Sequence, residues 1–271
     1  MNHILKNKPL IIAGPCALES KEQLRRCTST LKKLGIKCIR ASLWKPRTRP
    51  GWEGLGALGL HILLEETLPH GLIPATEILT SDHARLIVES ICTYDKNAQI
   101  LVWIGSRNQN HIQQQEIARI LASGPKGIVL MAKNQMWECR RHWIGISEHI
   151  LSTGFPKERL ILCHRGFCPG KMPNPKSLRN LPDYEMSMQV KAITGSPIVF
   201  DPSHIGGSRE RVLHIIEEVC KYDFDGLLVE VHSDPESATT DSSQQLSLQQ
   251  FSKIIDLINH KIAKGEKQCV V

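Results

Sequence analysis

The chain has 271 residues, 41% hydrophobic and 23% charged, with a formal net charge of +7. No apolar run reaches the roughly 20 residues of a membrane span, and residues 1–8 lack the apolar centre of a signal peptide, so a cytoplasmic protein is expected. Nine cysteines without CxxC spacing argue against a disulfide scaffold, and dispersed basic residues with only 5% aromatics argue against a nucleic-acid surface; a small anionic substrate explains the positive excess better.

Short apolar runs occur at 9–16, 37–42, 72–79, 100–105, 127–133, 159–166, 197–203 and 226–232. They are apolar nearly throughout, as parallel strands covered on both faces are. Between them apolar residues recur at helical spacing, as in Leu24, Leu31 and Leu34, or Val212, Ile215 and Val219. Eight such units predict a single-domain (β/α)8 TIM barrel spanning 1–271, with a core of about 9–264, a short lead at 1–8 and a Lys-rich tail at 264–271. An open doubly wound sheet is the rival, but the first turn, Gly14 to Ser20, has no GxGxxG pattern.

Barrel active sites gather at the carboxyl ends of the strands. In chain order those ends carry Cys16; Arg40 with Lys45 and Arg47; Glu77; Arg107; Lys133; His164 with Arg165; Asp201 with His204; and Glu230 with His232. Any one of these could be a packed thiol, a satisfied polar group or a solvated basic loop; one at every strand end is harder to dismiss. Cys16, His204, Glu230 and Asp241 together offer a thiolate, an imidazole and two carboxylates, a mixture suited to Mn²⁺, Fe²⁺, Co²⁺ or Zn²⁺. Arg40, Lys45, Arg47, Arg107, Lys133 and Arg165 would repel one another unless a ligand with at least two anionic groups sat among them, which points to phosphorylated substrates.

The strings Ile12-Ala13-Gly14-Pro15-Cys16, Lys45-Pro46-Arg47-Thr48, Ile104-Gly105-Ser106-Arg107-Asn108, Asp201-Pro202-Ser203-His204 and Glu230-Val231-His232…Asp241 resemble the type Iβ 3-deoxy-D-arabino-heptulosonate 7-phosphate (DAHP) synthases. With His164-Arg165-Gly166-Phe167 they are similar to the subgroup often fused to chorismate mutase. The match runs in register from about residue 9 to 257. It implies a metal-dependent, aldol-like condensation of phosphoenolpyruvate with erythrose 4-phosphate, the first step of the shikimate pathway. It further implies one divalent ion on Cys16, His204, Glu230 and Asp241. Phosphoenolpyruvate would lie on Arg40, Lys45, Arg107, Lys133 and Arg165, and erythrose 4-phosphate on Lys45, Pro46, Arg47 and Thr48. Lys45, Cys16, His204 and Asp201 would carry the catalysis, with Glu77, His164 and His232 behind them. The resemblance also implies a homodimer or homotetramer, with a separate chorismate mutase as a candidate partner, and no regulatory or chorismate mutase domain is expected within this chain.

Two departures stand out. Arg40-Ala41-Ser42 replaces a common Arg-Gly-Gly, and His164 occupies a position usually held by Glu, so any base role of that Glu would pass to His164. Two other readings stay open. One is 3-deoxy-D-manno-octulosonate 8-phosphate synthase, which uses arabinose 5-phosphate and typically reads Lys-Ala-Asn-Arg-Ser-Ser where Pro46-Arg47-Thr48 stands here. The other is a non-catalytic barrel that binds phosphorylated metabolites.

Overall fold

A computed structural model of the chain describes Ile4, residues 9–46 and residues 50–263, with side chains through residue 258. Eight parallel strands alternate with helices along the chain: β1 (Leu10–Gly14), α1 (Lys21–Lys33), β2 (Cys38–Arg40), α2 (Gly56–Glu65), β3 (Ile73–Ile78), α3 (Ser81–Asp95), β4 (Ile100–Ile104), α4 (His111–Ser123), β5 (Ile128–Lys133), α5 (Arg140–Leu151), β6 (Leu160–His164), α6 (Tyr184–Thr194), β7 (Ile198–Phe200), α7 (Pro202–Gly206), α8 (Arg209–Val219) and β8 (Gly226–His232). Each strand pairs with the next, and β1 pairs with β8 from Leu10↔Gly226 to Gly14↔Glu230, which closes the barrel. A two-residue strand, β9 (Leu246–Ser247), adds to the far end of β8 before the final helix α9 (Leu248–Ala263).

The helices form for local reasons that the sequence carries. Ser20 caps α1 by accepting from the Gln23 amide, and Leu24, Cys27 and Leu31 put one apolar stripe against the barrel. Strand side chains alternate between two apolar layers. Ile12, Cys38, Ala75, Leu101, Trp103, Val129, Met131, Ile161, Cys163, Val199 and Leu228 fill the barrel interior, joined by Ile4. Ala13, Ile39, Val102, Leu130, Leu162, Phe200 and Val229 face outward under the helices.

The same alternation, carried one step further, decides what reaches the mouth. Two residues beyond the last interior apolar residue of each strand stand Gly14, Arg40, Glu77, Gly105, Lys133, Arg165, Asp201 and Glu230. Charged groups therefore form the layer that caps the apolar interior, at the ends where the βα loops converge. The two glycines give way to neighbours: a Cβ on Gly14, whose φ is +149°, would lie 2.2 Å from the Arg40 carbonyl oxygen, and one on Gly105 would lie 2.0 Å from Glu77 Oε1.

The run expected at 197–203 is a strand only to Phe200. Asp201 then caps a helical turn: Pro202 fixes its first position and Asp201 Oδ1 accepts from the His204 amide at 3.1 Å. His204 thus rides on α7.

Candidate active site

The site begins with Cys16, two residues past β1 and fully buried. Its amide donates to Gln245 Oε1 at 2.9 Å, and its thiol donates to Asp241 Oδ2 at 3.2 Å. Burial, and then the charge of Glu230, push this thiol up to about 12. One ligand atom from each of Cys16, Glu230 and Asp241 lies within 4.8 Å of the others. Asp241 holds its place with a left-handed backbone, φ 50°, a conformation that Asp tolerates better than most residues. Burial works against ionisation of its carboxyl, yet His204, Arg179 and Lys45 outweigh it and hold the group well below the usual range.

His204 reaches this cluster from the Glu230 side, with Nε2 3.9 Å from Glu230 Oε1 and Nδ1 2.8 Å from Asp201 Oδ2. Asp201 thereby fixes the ring so that Nε2 faces the cluster, the arrangement common behind a ligating imidazole. Burial lowers the His204 pKa although the Asp201 and Glu230 charges oppose it, so the ring gives up its proton more readily to a metal. Glu230 Oε1 is fully buried, 3.3 Å from Arg40 Nη2, and takes no hydrogen bond from any described residue. An orphaned carboxylate oxygen beside a thiol, a second carboxylate and an oriented imidazole fits a borderline divalent cation.

Lys45 joins the metal-type cluster to the cation set. Its Nζ donates to Cys16 Sγ at 3.0 Å, and its amide donates to the Glu53 carbonyl. Trp44 stacks on His83 with ring centroids 3.9 Å apart, which anchors the loop that presents Lys45. Burial opposes the Lys45 charge, but Cys16, Glu230 and Glu77 outweigh it and raise its pKa, so the ammonium form persists. Around it opens a cavity of about 460 Å³ lined by Lys45, Pro46, Glu77, Arg107, Lys133, Arg165, Arg179, His204 and Asp241. Lys133 Nζ bonds Asp201 Oδ2 at 2.7 Å, and Asp201 is held ionised against its burial by His204 and Lys133. Arg165 donates to Asn180 Oδ1 at 2.8 Å, and burial above all, with Arg179 and Arg107 adding to it, draws its pKa down to about 10. An anion among these cations would relieve that repulsion.

The sequence pattern of the DAHP synthetase I family matches residues 4–264. The chain belongs to the DAHP synthetase I family. It is accordingly an enzyme of the 3-deoxy-7-phosphoheptulonate synthase class. It is 30% identical over 247 residues to the phospho-2-dehydro-3-deoxyheptonate aldolase of Thermotoga maritima, a match covering 90% of this chain and 67% of that one. The crystal structure of the Thermotoga DAHP synthase superposes with a TM-score of 0.81 over 94% of this chain and 69% of that one, and a truncated form with 0.78 at 28% identity over 94% and 86%. The 2-dehydro-3-deoxyphosphooctonate aldolase of Agrobacterium fabrum is 23% identical over 265 residues, covering 91% of this chain and 86% of that one.

Within this DAHP synthetase fold, Cys16, Lys45, Asp201, His204, Glu230 and Asp241 meet at one place, and Lys45, Pro46, Arg107, Lys133 and Arg165 line one cavity. Arg40 lies lower than expected. It is 1% exposed and donates to the Pro15 and Cys16 carbonyls, with its guanidinium 5.1 Å from the Trp103 ring centre and its buried Nη1 unpaired among the described residues. Arg47 and Thr48 lie outside the described residues. Glu77 faces the cavity beside Gly105 and acts on Lys45 through its charge.

His164 is a correction. Alternation along β6 turns Cys163 inward and His164 outward, so the imidazole packs on Trp143, Phe167 and Phe200 and accepts from the Asp183 amide at 3.0 Å. It cannot replace a Glu at the mouth. His232 is also displaced from its expected role: its ring meets Gln23 and the Asp234 amide and ties β8 to α1. Arg179 and Gln244 are not evident from the strand pattern because neither ends a strand; one sits in the β6–α6 loop and the other in the turn after Asp241. The sequence signal for Gln244 is the Gln244-Gln245 pair closely following Asp241.

No described helix is long and apolar enough to cross a membrane.

Proposed function

We propose that the chain condenses phosphoenolpyruvate with erythrose 4-phosphate and water to give 3-deoxy-D-arabino-heptulosonate 7-phosphate and phosphate, in the shikimate pathway, with one divalent ion on Cys16, His204, Glu230 and Asp241. The observation that carries this reading is Lys45: one ammonium 3.0 Å from the Cys16 sulfur and on the wall of a cavity that also holds Arg107, Lys133 and Arg165. A proton donor thus stands between a metal-type donor set and an anion site, which is what joining an enol phosphate to an aldehyde requires.

Arg107, Lys133 and Arg165 hold the phosphate of phosphoenolpyruvate, and Lys45 serves its carboxylate, with buried Arg40 below the cavity adding its charge. Pro46, Arg47 and Thr48 receive the phosphate of the aldose. Holding two anions side by side is much of the catalysis, since they repel in water. C3 of the enol attacks the aldehyde carbon, Lys45 delivers a proton to the oxygen as charge develops there, water adds at C2, and phosphate departs by cleavage of its C2–O bond. Asp201 keeps Lys133 and His204 in place throughout. A bound divalent ion would supply Lewis-acid polarisation and orientation of the aldehyde.

The choice of a four-carbon aldose is supported by product arithmetic: phosphoenolpyruvate contributes three carbons, so a heptonate product needs four more and an octonate five. The heptonate relative is 30% identical, against 23% for the octonate relative named above. We further propose that the chain works as a homodimer or homotetramer in the cytoplasm.

The test is phosphate release from the full chain after chelation and dialysis. Release is expected only when phosphoenolpyruvate, erythrose 4-phosphate and a divalent ion are all present. Full-rate release without added ion, in protein shown to be metal-free, would overturn the metal assignment.

A further inference from the structure

Each of the two acidic groups in the cluster has one oxygen tied down by a polar side chain and the other left without such a restraint, that of Asp241 against the Cys16 thiol and that of Glu230 3.3 Å from Arg40 Nη2 and 3.9 Å from His204 Nε2. Asp241 Oδ1 accepts from Arg179 Nη1 at 2.9 Å, while its Oδ2 meets the Cys16 thiol. Glu230 Oε2 accepts from Gln244 Nε2 at 2.6 Å, while its Oε1 takes no hydrogen bond among the described residues. The two restraints are themselves joined, because Arg179 Nη1 also donates to Gln244 Oε1 at 2.5 Å. A single guanidinium nitrogen therefore sets both carboxylates.

The fold goes to some length to bring Arg179 there. It belongs to the long loop between β6 and α6, whose base is pinned by reciprocal backbone bonds between Phe167 and Leu181 at 2.8 Å. Its neighbour Asn180 fastens the loop to the site, accepting from Arg165 and donating to the His204 carbonyl. Room for this dipeptide comes from two glycines with positive φ. A Cβ on Gly207 would lie 2.6 Å from Arg179 Cβ, and one on Gly166 would lie 2.8 Å from Asn180 Cβ. Arg179 keeps about a third of its side chain in solvent (35%), yet its Nη1 is held by both Asp241 and Gln244.

We propose that Arg179 and Gln244 are positioning residues that select which oxygen of Asp241 and of Glu230 is presented to the ion, each carboxylate offering one oxygen. The proposal rests on the metal-binding reading above. Charge and positioning give opposite signs here, which makes the idea testable. If Arg179 were only a nearby cation, removing it would tighten binding of a divalent cation by lifting like-charge repulsion. If it orients Asp241, removing it weakens binding, by about 10- to 100-fold as for other groups that orient metal ligands.

The test titrates chelator-stripped full-length protein with Co²⁺, following the thiolate-to-cobalt absorption that reports a Cys16–metal bond, with competition against a chromophoric chelator for affinity. Arg179→Gln and Gln244→Leu are each expected to weaken Co²⁺ binding by about 10- to 100-fold while the circular dichroism of the metal-free protein is unchanged. Arg179→Lys is expected to restore most of the affinity, since one nitrogen makes both bonds. Unchanged or tighter binding in Arg179→Gln overturns the proposal. So does an Arg179→Lys variant that folds but binds Co²⁺ about 10- to 100-fold more weakly than wild type, the comparison that decides if either neutral variant fails to fold. Absence of the thiolate band in the wild-type chain would instead overturn the metal reading beneath it.

Discussion

His164 offers a sharp test because its burial has a calculable effect on pH stability. The ring is fully buried among Trp143, Phe167 and Phe200, and its Nε2 accepts from the Asp183 amide, so the neutral form is built into the fold. Burial first, and the adjacent Arg165 charge second, lower its pKa from 6.5 to about 3. The unfolded chain binds a proton at His164 below pH 6.5 and the folded chain does not until near pH 3. The penalty is therefore nil above 6.5, grows as pH falls through that window, and is constant below it. At 1.36 kcal/mol per unit, the cost is roughly 3 kcal/mol at about pH 4.5 and about 5 kcal/mol at its ceiling. His164→Gln keeps an acceptor for the Asp183 amide and cannot titrate. Urea unfolding of both proteins at about pH 7.5 and about pH 4.5 isolates the contribution, since other titrating groups cancel in the double difference. Wild type is expected to lose roughly 3 kcal/mol more than His164→Gln between the two. Equal losses would overturn the outward, neutral placement of this ring.

Arg40→Met leaves Glu230 buried without its 3.3 Å partner, and chelated protein should lose about 3–5 kcal/mol in urea unfolding; a loss below 1 kcal/mol would contradict the pairing. Gly105→Ala puts a Cβ 2.0 Å from Glu77 Oε1 and forces that carboxylate off its position beside Lys45. Turnover should drop by at least about tenfold with little loss of stability, because the end of the Glu77 side chain can swing aside, and unchanged kinetics would show that Glu77 does not act on Lys45. Cys16→Ala should abolish turnover and thiolate–Co²⁺ absorption while leaving the melting of the metal-free protein nearly unchanged. A collapse of that melting would assign Cys16 to the core instead.

The barrel was legible because buried parallel strands must be apolar on both faces, and those runs stand out: the run at 226–232 is β8 to the residue, and 127–133 misses β5 by one. Strand ends then pointed to the site, since the side-chain period of two carries Arg40, Glu77, Lys133, Arg165, Asp201 and Glu230 inward together. That same period excludes His164 from the mouth, because neighbours on a strand face opposite ways and Cys163 takes the inward position. α2, which begins Gly56-Ala57-Leu58-Gly59 and has no side-chain cap, gave little local signal; it is held by burying Leu60, Leu63 and Leu64. Arg179 and Gln244 were out of reach for a related reason. Their positions come from loop closure over the barrel, fixed by Gly166, Gly207 and the β9 pairing, and no periodicity encodes that.

Competition between the two aldoses decides whether the chain builds a seven- or an eight-carbon acid. The metal-loaded chain is offered phosphoenolpyruvate with equal concentrations of erythrose 4-phosphate and arabinose 5-phosphate in one vessel, and the sugar acid products are resolved by mass. A seven-carbon product is expected to dominate; an exclusively eight-carbon product would contradict the assignment.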